Sequence, residues 1–384
     1  MKKMIATFRL LQNEVIDIVS DVTEEHYKKQ FHPDLSPIGW HLGHCVFTES
    51  YWIKERLLKK KVTYDTLKSL YIPELSIKKN RGGPLPKKSK MLSWAKDLQI
   101  ENYTLLDLAT IELASHKLLK NNFLIHFLIQ HYAQHIEIIK MVLTAIQIKR
   151  NHIDFNSSKI SEPNQRQKKI ITVESSNYII GLEENNLPYD NEKPPHSIRL
   201  DSFKISSLPV SNGEYLSFMN SAAYSKKEIW SDAGWEWFSN DKQAHPYHWH
   251  KHKNGYWYGV GHQGPYTLDI QQAVYGLNYF EAEAIATWAG GRLPHEYEWE
   301  VAAKNHQLEQ RGAVWEWCSN EFHPYDGFFS YPYTNYSEPY FDGKHYVLKG
   351  GSKHTKTHIK RASFRNYYHA DKRHIFAGCR LAYD

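Results

Sequence analysis

Between Asn122 and Ile148 the chain carries an apolar segment at helical spacing, with His131-Tyr132-Ala133-Gln134-His135-Ile136-Glu137 at its centre. Two histidines four residues apart project from one face of a helix, one turn above the other. That spacing lets both imidazoles reach a single metal ion, which then needs at least one more ligand from elsewhere in the chain. The plain alternative is two polar side chains on a half-buried helix, in a chain that holds 23 histidines. The surrounding sequence decides between the two.

Upstream, Met4 to Val22 reads as a first helix, with Ile5, Phe8, Leu11, Val15, Ile18 and Val19 at helical spacing. Pro33 and Pro37 hold an extended approach to a second helix. Ser36 is placed to cap that helix, with Pro37 at its first position and its end near Leu58. Trp40, His44, Phe47 and Tyr51 fall on one stripe, so His44 faces inward among aromatics. His41 lies about 60° round from His44 and is the weaker candidate for the same role. Residues 59–90 are basic and broken by Asn80, Gly82, Gly83, Pro84 and Pro86, which predicts a loop, and helix resumes from Met91 to about Leu119. Four helices with one long connection predict a four-helix bundle over residues 1–150, an architecture that places metal ligands on facing helices. His44, His131 and His135 would make a three-histidine face with positions left open for water, oxygen or substrate. Glu137 points about 200° away from His135, toward a supporting position or the surface rather than the metal.

The formal net charge of +6 is mild and the lysines are scattered, so no nucleic-acid partner is expected. Cys45, Cys318 and Cys379 are odd in number and far apart, which excludes a disulfide framework or zinc ribbon and fits a reducing cytosol. No run of 18 apolar residues and no signal peptide stands out, so the expected location is cytoplasmic, without a membrane partner.

Residues 151–169 are polar and charged and read as an interdomain linker. From residue 170 onward the pattern changes to short alternating strands (Ile170 to Val173, Tyr178 to Gly181, His196 to Leu200, Phe203 to Ile205). Helices are expected at Asn212 to Ser221, capped by Ser211, at Tyr279 to Ala289, and from His295 to Lys304. After Trp315 the chain is aromatic, loop-rich and nearly free of helix signals. The predicted second domain, 170–384, is therefore α+β with irregular loops.

This second half carries Pro209-Val210-Ser211-Asn212-Gly213-Glu214-Tyr215, Tyr279-Phe280-Glu281-Ala282, Gly291-Arg292-Leu293-Pro294-His295-Glu296-Tyr297-Glu298-Trp299-Glu300, Val314-Trp315-Glu316-Trp317 and Leu348-Lys349-Gly350-Gly351-Ser352. It ends with Phe364-Arg365-Asn366 and Phe376-Ala377-Gly378-Cys379-Arg380. These motifs resemble the formylglycine-generating-enzyme family, whose fold is related to C-type lectins. Trp40-His41-Leu42-Gly43-His44 and the His131/His135 helix resemble the DinB-like bundle. The two in this order resemble the ergothioneine-biosynthesis sulfoxide synthases (hercynine oxygenases), non-haem iron enzymes that join sulfur to a histidine-derived imidazole using oxygen.

The resemblance implies Fe(II) held by His44, His131 and His135, with O2 as co-substrate. It implies Gln134 and Asn366 as contacts to a small-molecule acceptor, hercynine or histidine. It also implies a catalytic tyrosine that moves a proton or hydrogen in the loop holding Tyr333 and Tyr336, with Tyr333 the first candidate, Tyr331 and Tyr340 the alternatives, and Tyr336 lining the substrate. Arg81 would hold a donor carboxylate through its planar fork, the alternative being a solvated loop charge. Where one branch of the family reads Trp-Asp after Arg-Asn, this chain reads Tyr367-Tyr368, which removes the acid that anchors γ-glutamylcysteine. Both tyrosines are then candidates for substrate contact, and the donor stays open among cysteine, γ-glutamylcysteine and a selenosugar, the last giving a selenoneine-type synthase. Two other classes compete. A formylglycine-type oxidase would need a close cysteine pair for copper, and Cys318 and Cys379 do not supply one. A non-catalytic binding module, common among lectin-like folds, would hold no metal.

Overall fold

The central apolar segment forms α6 (Phe123–Ile148), buried over most of its length because apolar side chains occupy most of its positions. The computed structural model describes residues 2–384 except 61–64, 114, 151, 153–154, 156–167, 184–186 and 306, so most of the predicted linker lies outside the described residues. The chain divides into two units, Met1–Arg150 and Asn151–Asp384.

In the first unit α1 (Lys2–Asp21) packs on α6, on α3 (Ile38–Ser50) and on α5 (Lys88–Glu112), and α3 also contacts α5 and α6. Val15, Leu42, Val46, Leu128, Ile136 and Ile139 are fully buried and form the apolar interior, the main source of this unit's stability. The short α2 (Glu24–Lys28) is capped by Thr23, whose side chain accepts from the His26 N–H.

Several local expectations are corrected. Pro37, not Ser36, stands at the start of α3, and Ser36 Oγ instead accepts a 2.7 Å hydrogen bond from Arg81. α3 ends at Ser50 and the chain continues as a π-helix over Tyr51–Leu57, which widens the turn, while Tyr51 still stacks on Phe47 at 6.3 Å. Within 59–90 the chain forms α4 (Asp65–Tyr71), whose last residue becomes part of the metal centre. Glu137 is buried rather than at the surface. α5 ends at Glu112, short of Leu119.

The second unit mixes helices and small sheets. β1 (Ile170–Val173), β4 (Phe203–Ser206) and β12 (Ala382–Tyr383) form one sheet, and β2 (Ser176–Ile180) pairs with β3 (His196–Leu200). α7 (Asn212–Asn220), α9 (Tyr279–Trp288) and α10 (Glu296–Lys304) begin in capping boxes built on Ser211/Glu214, Asn278/Glu281 and His295/Glu298. Sequence reasoning missed α8 (Asp232–Asp241) and the sheet of β5 (Trp249–Lys251), β6 (Trp257–Gly261) and β7 (Gly264–Tyr266), where turn residues and aromatics mask the alternation. Beyond Trp315 no α-helix occurs among the described residues; β8 (Trp315–Glu321), β9 (His345–Lys349), β10 (Asn366–His369) and β11 (Ala377–Gly378) form a sheet in the order β10-β9-β8-β11.

The motifs of this unit are ion-pair partners of one another. Arg365 bonds Glu296 through two nitrogens at 2.7 and 2.8 Å, and Arg380 bonds Glu316 at 2.8 and 3.0 Å. Arg373 bonds Glu281 at 3.0 and 2.9 Å, and Lys349 bonds Glu300 at 3.0 Å. All these groups are buried. Arg365, Arg373 and Arg380 are therefore already neutralised by carboxylates. Trp315 and Trp317 are core residues, the latter donating its indole N–H to the Leu277 carbonyl.

Candidate metal centre

His131 and His135 lie one turn apart on α6 with ring centroids 4.5 Å apart, and α3 brings His44 to 5.0 Å from the first and 4.7 Å from the second. One ring nitrogen from each lies within 4.8 Å of the others, the condition for a shared metal. His44 Nε2 and His131 Nε2 are 3.0 Å apart. Two adjacent ligands each about 2.1 Å from a first-row metal lie about 3.0 Å apart, so this pair fits a common ion.

Local sequence explains the orientation of His44. Its Nδ1–H donates to the Tyr71 carbonyl at 2.6 Å, which leaves the Nε2 lone pair to face the metal position. Tyr71 reaches this place because Gly43 has no side chain; a Cβ there would collide with the Tyr71 ring. Gly39 makes the same room for Tyr27. On its other side His44 stacks on Trp40 at 4.7 Å with 10° between the planes, and the Arg81 guanidinium lies 3.9 Å over Trp40. Arg81, Trp40 and His44 thus form a layered stack.

Burial is the main reason these rings stay neutral. It pushes His44 down to about 4 and holds His131 and His135 well below the ordinary histidine range, with neighbouring imidazoles adding to the effect on the last two. Neutral imidazole is the metal-binding form. His131 Nδ1 is buried with no hydrogen-bond partner, a cost that a ligand role at the same ring helps to offset.

The sequence ranked His41 below its neighbours, and the structure raises it. His41 Nδ1 sits 3.0 Å from His135 Nδ1, so one ring donates and the other accepts. Burial pushes His41 down to about 3. With His41 accepting, His135 keeps its Nε2 lone pair. The available signal was the three-residue spacing of His41 and His44, which puts them one turn apart on the same helix.

The remaining predicted residues are placed as follows. Gln134 is part-buried on α6 beside His135. Arg81 is buried, and it is not a solvated loop charge: its nitrogens bond Ser36 Oγ, Ser76 Oγ, and the Pro73 and Ser76 carbonyls at 2.7 to 3.0 Å. In the second unit Tyr336 stacks on Tyr189 at 4.2 Å, and Tyr333 meets Tyr336 edge-on at 6.3 Å. Asn366, Tyr367 and Tyr368 are consecutive on β10, so Tyr367 points to the opposite face from the other two. Tyr367 stacks on Phe322 at 4.2 Å and its hydroxyl donates to the Tyr336 carbonyl. Cys318 and Cys379 are buried, unpaired thiols pushed upward by burial.

Residues 156–311 and 306–384 match the sulfatase-modifying factor enzyme 1-like domain, and residues 7–139 match the DinB superfamily. Over 97% of this chain and 93% of its own length, the hercynine oxygenase of Mycolicibacterium thermoresistibile is 28% identical. The hercynine oxygenase of Mycobacterium tuberculosis is 32% identical over 54% of this chain and 59% of its own length. The chain belongs to the sulfatase-modifying factor enzyme 1-like family. It has a DinB-like helical domain followed by a formylglycine-generating-enzyme-like domain of mixed helix and sheet, and its similarity to hercynine oxygenases along nearly its whole length supports an oxidoreductase. The formylglycine-generating enzyme of Thermomonospora curvata is 29% identical over 44% of the chain, a shorter match than that of the first hercynine oxygenase. No described helix is long and apolar enough to cross a membrane.

Proposed function

We propose that this chain is a non-haem Fe(II), O2-dependent sulfoxide synthase that forms a carbon–sulfur bond between the imidazole ring of hercynine or histidine and a thiol. The observation that carries it is the convergence of His44, His131 and His135 in a chain similar along nearly its whole length to a hercynine oxygenase. In the balanced reaction a ring C–H and a thiol S–H break, a C–S and an S–O bond form, and O2 supplies one oxygen to the sulfoxide and one to water. Bound iron would supply the electron transfer that O2 activation requires and would favour the thiolate over the thiol.

The chain's own residues have separate tasks. His44, His131 and His135 would hold the metal, with Tyr71 and His41 fixing ring orientation. Gln134, next to a ligand, is assigned a hydrogen bond to the acceptor imidazole. Asn366 and Tyr368, on one face of β10, are assigned to substrate binding, as is Tyr336, and Tyr333 to proton or hydrogen transfer. The packing of Tyr367 suits a supporting role beneath Tyr336. Arg81 has its donors engaged by neutral acceptors, which favours holding the α3 stack over gripping a donor carboxylate.

The test is O2 consumption by the Fe(II)-loaded chain with hercynine or histidine and a panel of donors (cysteine, γ-glutamylcysteine and a selenosugar), with products identified by mass spectrometry. A C–S or C–Se product from one donor, lost in His131→Ala together with bound iron, is the expected result. No turnover with any donor in an iron-loaded sample would refute the reading. A selenosugar-only product would select the selenoneine-type alternative.

A further inference from the structure

A second group of ligand-type side chains lies within the C-terminal unit, on the β9–β10 strand pair. The strands pair antiparallel with His369 opposite His345, so both rings stand on the same face of the sheet. Their centroids are 4.0 Å apart. The turn leading into β9 adds a carboxylate. Asp342 Oδ1 accepts the backbone N–H groups of Lys344 at 2.9 Å and His345 at 3.2 Å, which locks the carboxylate beside the His345 ring. Gly343, at φ +69°, supplies the left-handed residue this turn requires. His345 Nδ1 then lies 2.9 Å from Asp342 Oδ1 and 3.1 Å from Oδ2.

An aspartate–histidine hydrogen bond explains Asp342 and His345 but not His369. His369 instead stands directly opposite His345 on the neighbouring strand, in ring contact with it. One nitrogen from each ring and one carboxylate oxygen all lie within 4.8 Å of one another. Two imidazoles and a carboxylate are a donor set for first-row divalent cations, with positions left for water. His345 is buried while the Asp342 side chain is 31% exposed, so the group is anchored on one side and open to solvent on the other.

We propose that Asp342, His345 and His369 form a second metal site, built wholly within the C-terminal unit, that takes a divalent cation of the Zn2+ class and clamps the β9–β10 strand pair. The clamp would act on β10, the strand that also carries Asn366 and Tyr368, without supplying a reacting group. The proposal does not depend on the iron chemistry assigned above.

Zinc bound per full-length chain after equilibrium dialysis is the direct measurement. Two ions are expected for the unaltered chain, one for His369→Asn, and one for His131→Ala/His135→Ala, which removes the helical centre instead. Asp342→Asn keeps an acceptor for the turn's N–H groups, so it separates ligation from folding. It should weaken the second site by at least the roughly tenfold to hundredfold that loss of an outer partner costs. Equal zinc content and affinity in the unaltered chain, His369→Asn and Asp342→Asn would overturn the site.

Discussion

At the scale of single residues, the candidate metal centre depends on groups that would not touch the ion. His44 is aimed by the Tyr71 carbonyl and stacked on Trp40, and His135 is met by His41. Replacing His41 with Ala should lower metal affinity roughly 10- to 100-fold, the usual effect of losing the partner that orients a ligand. Competition against a chelator of known affinity measures this, and an unchanged affinity would remove His41 from the centre. Arg81 offers a second test. Its fork engages Ser36, Ser76 and Pro73 while its plane covers Trp40. Lysine cannot reproduce that geometry, so Arg81→Lys should cost the N-terminal unit about 2 kcal/mol in denaturant unfolding. A raised donor KM with unchanged stability would instead return Arg81 to the carboxylate-binding role.

At the scale of elements, helices and strands are held by buried polar groups at defined points. Glu49 of α3 receives hydrogen bonds from Gln12 of α1 at 2.7 Å, Asn102 of α5 at 2.8 Å and Tyr132 of α6 at 3.0 Å, so one carboxyl joins every long helix it faces. Burial raises Glu49 to about 7 despite these donors. In the second unit the buried Arg380–Glu316 pair joins the C-terminal segment to β8. Glu316→Ala leaves a buried guanidinium without its counter-charge and should destabilise this unit by about 3–5 kcal/mol. Calorimetric or denaturant unfolding checks it; a change below about 1 kcal/mol would show the pair to be replaceable by water. The first helix of this unit was legible from Ser211, because a cap is local chemistry, and the structure adds the capping boxes Asn278/Glu281 and His295/Glu298 at the next two. The start of α3 was misread for a related reason. Ser36 has the right chemistry for a cap, but Arg81, 45 residues away, takes its oxygen.

At the scale of the whole molecule, pH acts on the metal-free helical unit through opposing groups. His41 and His44 have folded values of about 3 and 4, and His131 and His135 lie well below the ordinary range. The unfolded chain binds these protons near pH 6.5 and the folded one does not, so stability is lost as pH falls below about 6.5. Glu49 acts in the reverse sense: its folded form keeps a proton that the unfolded chain releases, so its contribution declines between about 4.5 and 7. Four histidines outweigh one carboxyl, and the net stability of the metal-free chain should rise between about pH 4.5 and 6.5. Unfolding midpoints across that range test the balance, and Glu49→Gln should make the rise steeper. A flat profile would mean that the centre is not dry.

The sequence alone determined the two-part order of the chain, the helical character of residues around His131 and His135, the candidate metal-ligand histidines, and the helix capped by Ser211 in the second half. Each follows from periodicity or from contacts within a turn or two. Only the tertiary structure decided that His41 meets His135 across 94 residues, that the Tyr71 carbonyl orients His44 across 27, and that Arg81, Arg365, Arg373 and Arg380 are already engaged. Those outcomes turn on which buried acceptor arrives beside which donor. Helical and strand spacing places a side chain on a face, but its partner comes from whatever distant segment the packing of the core brings against that face.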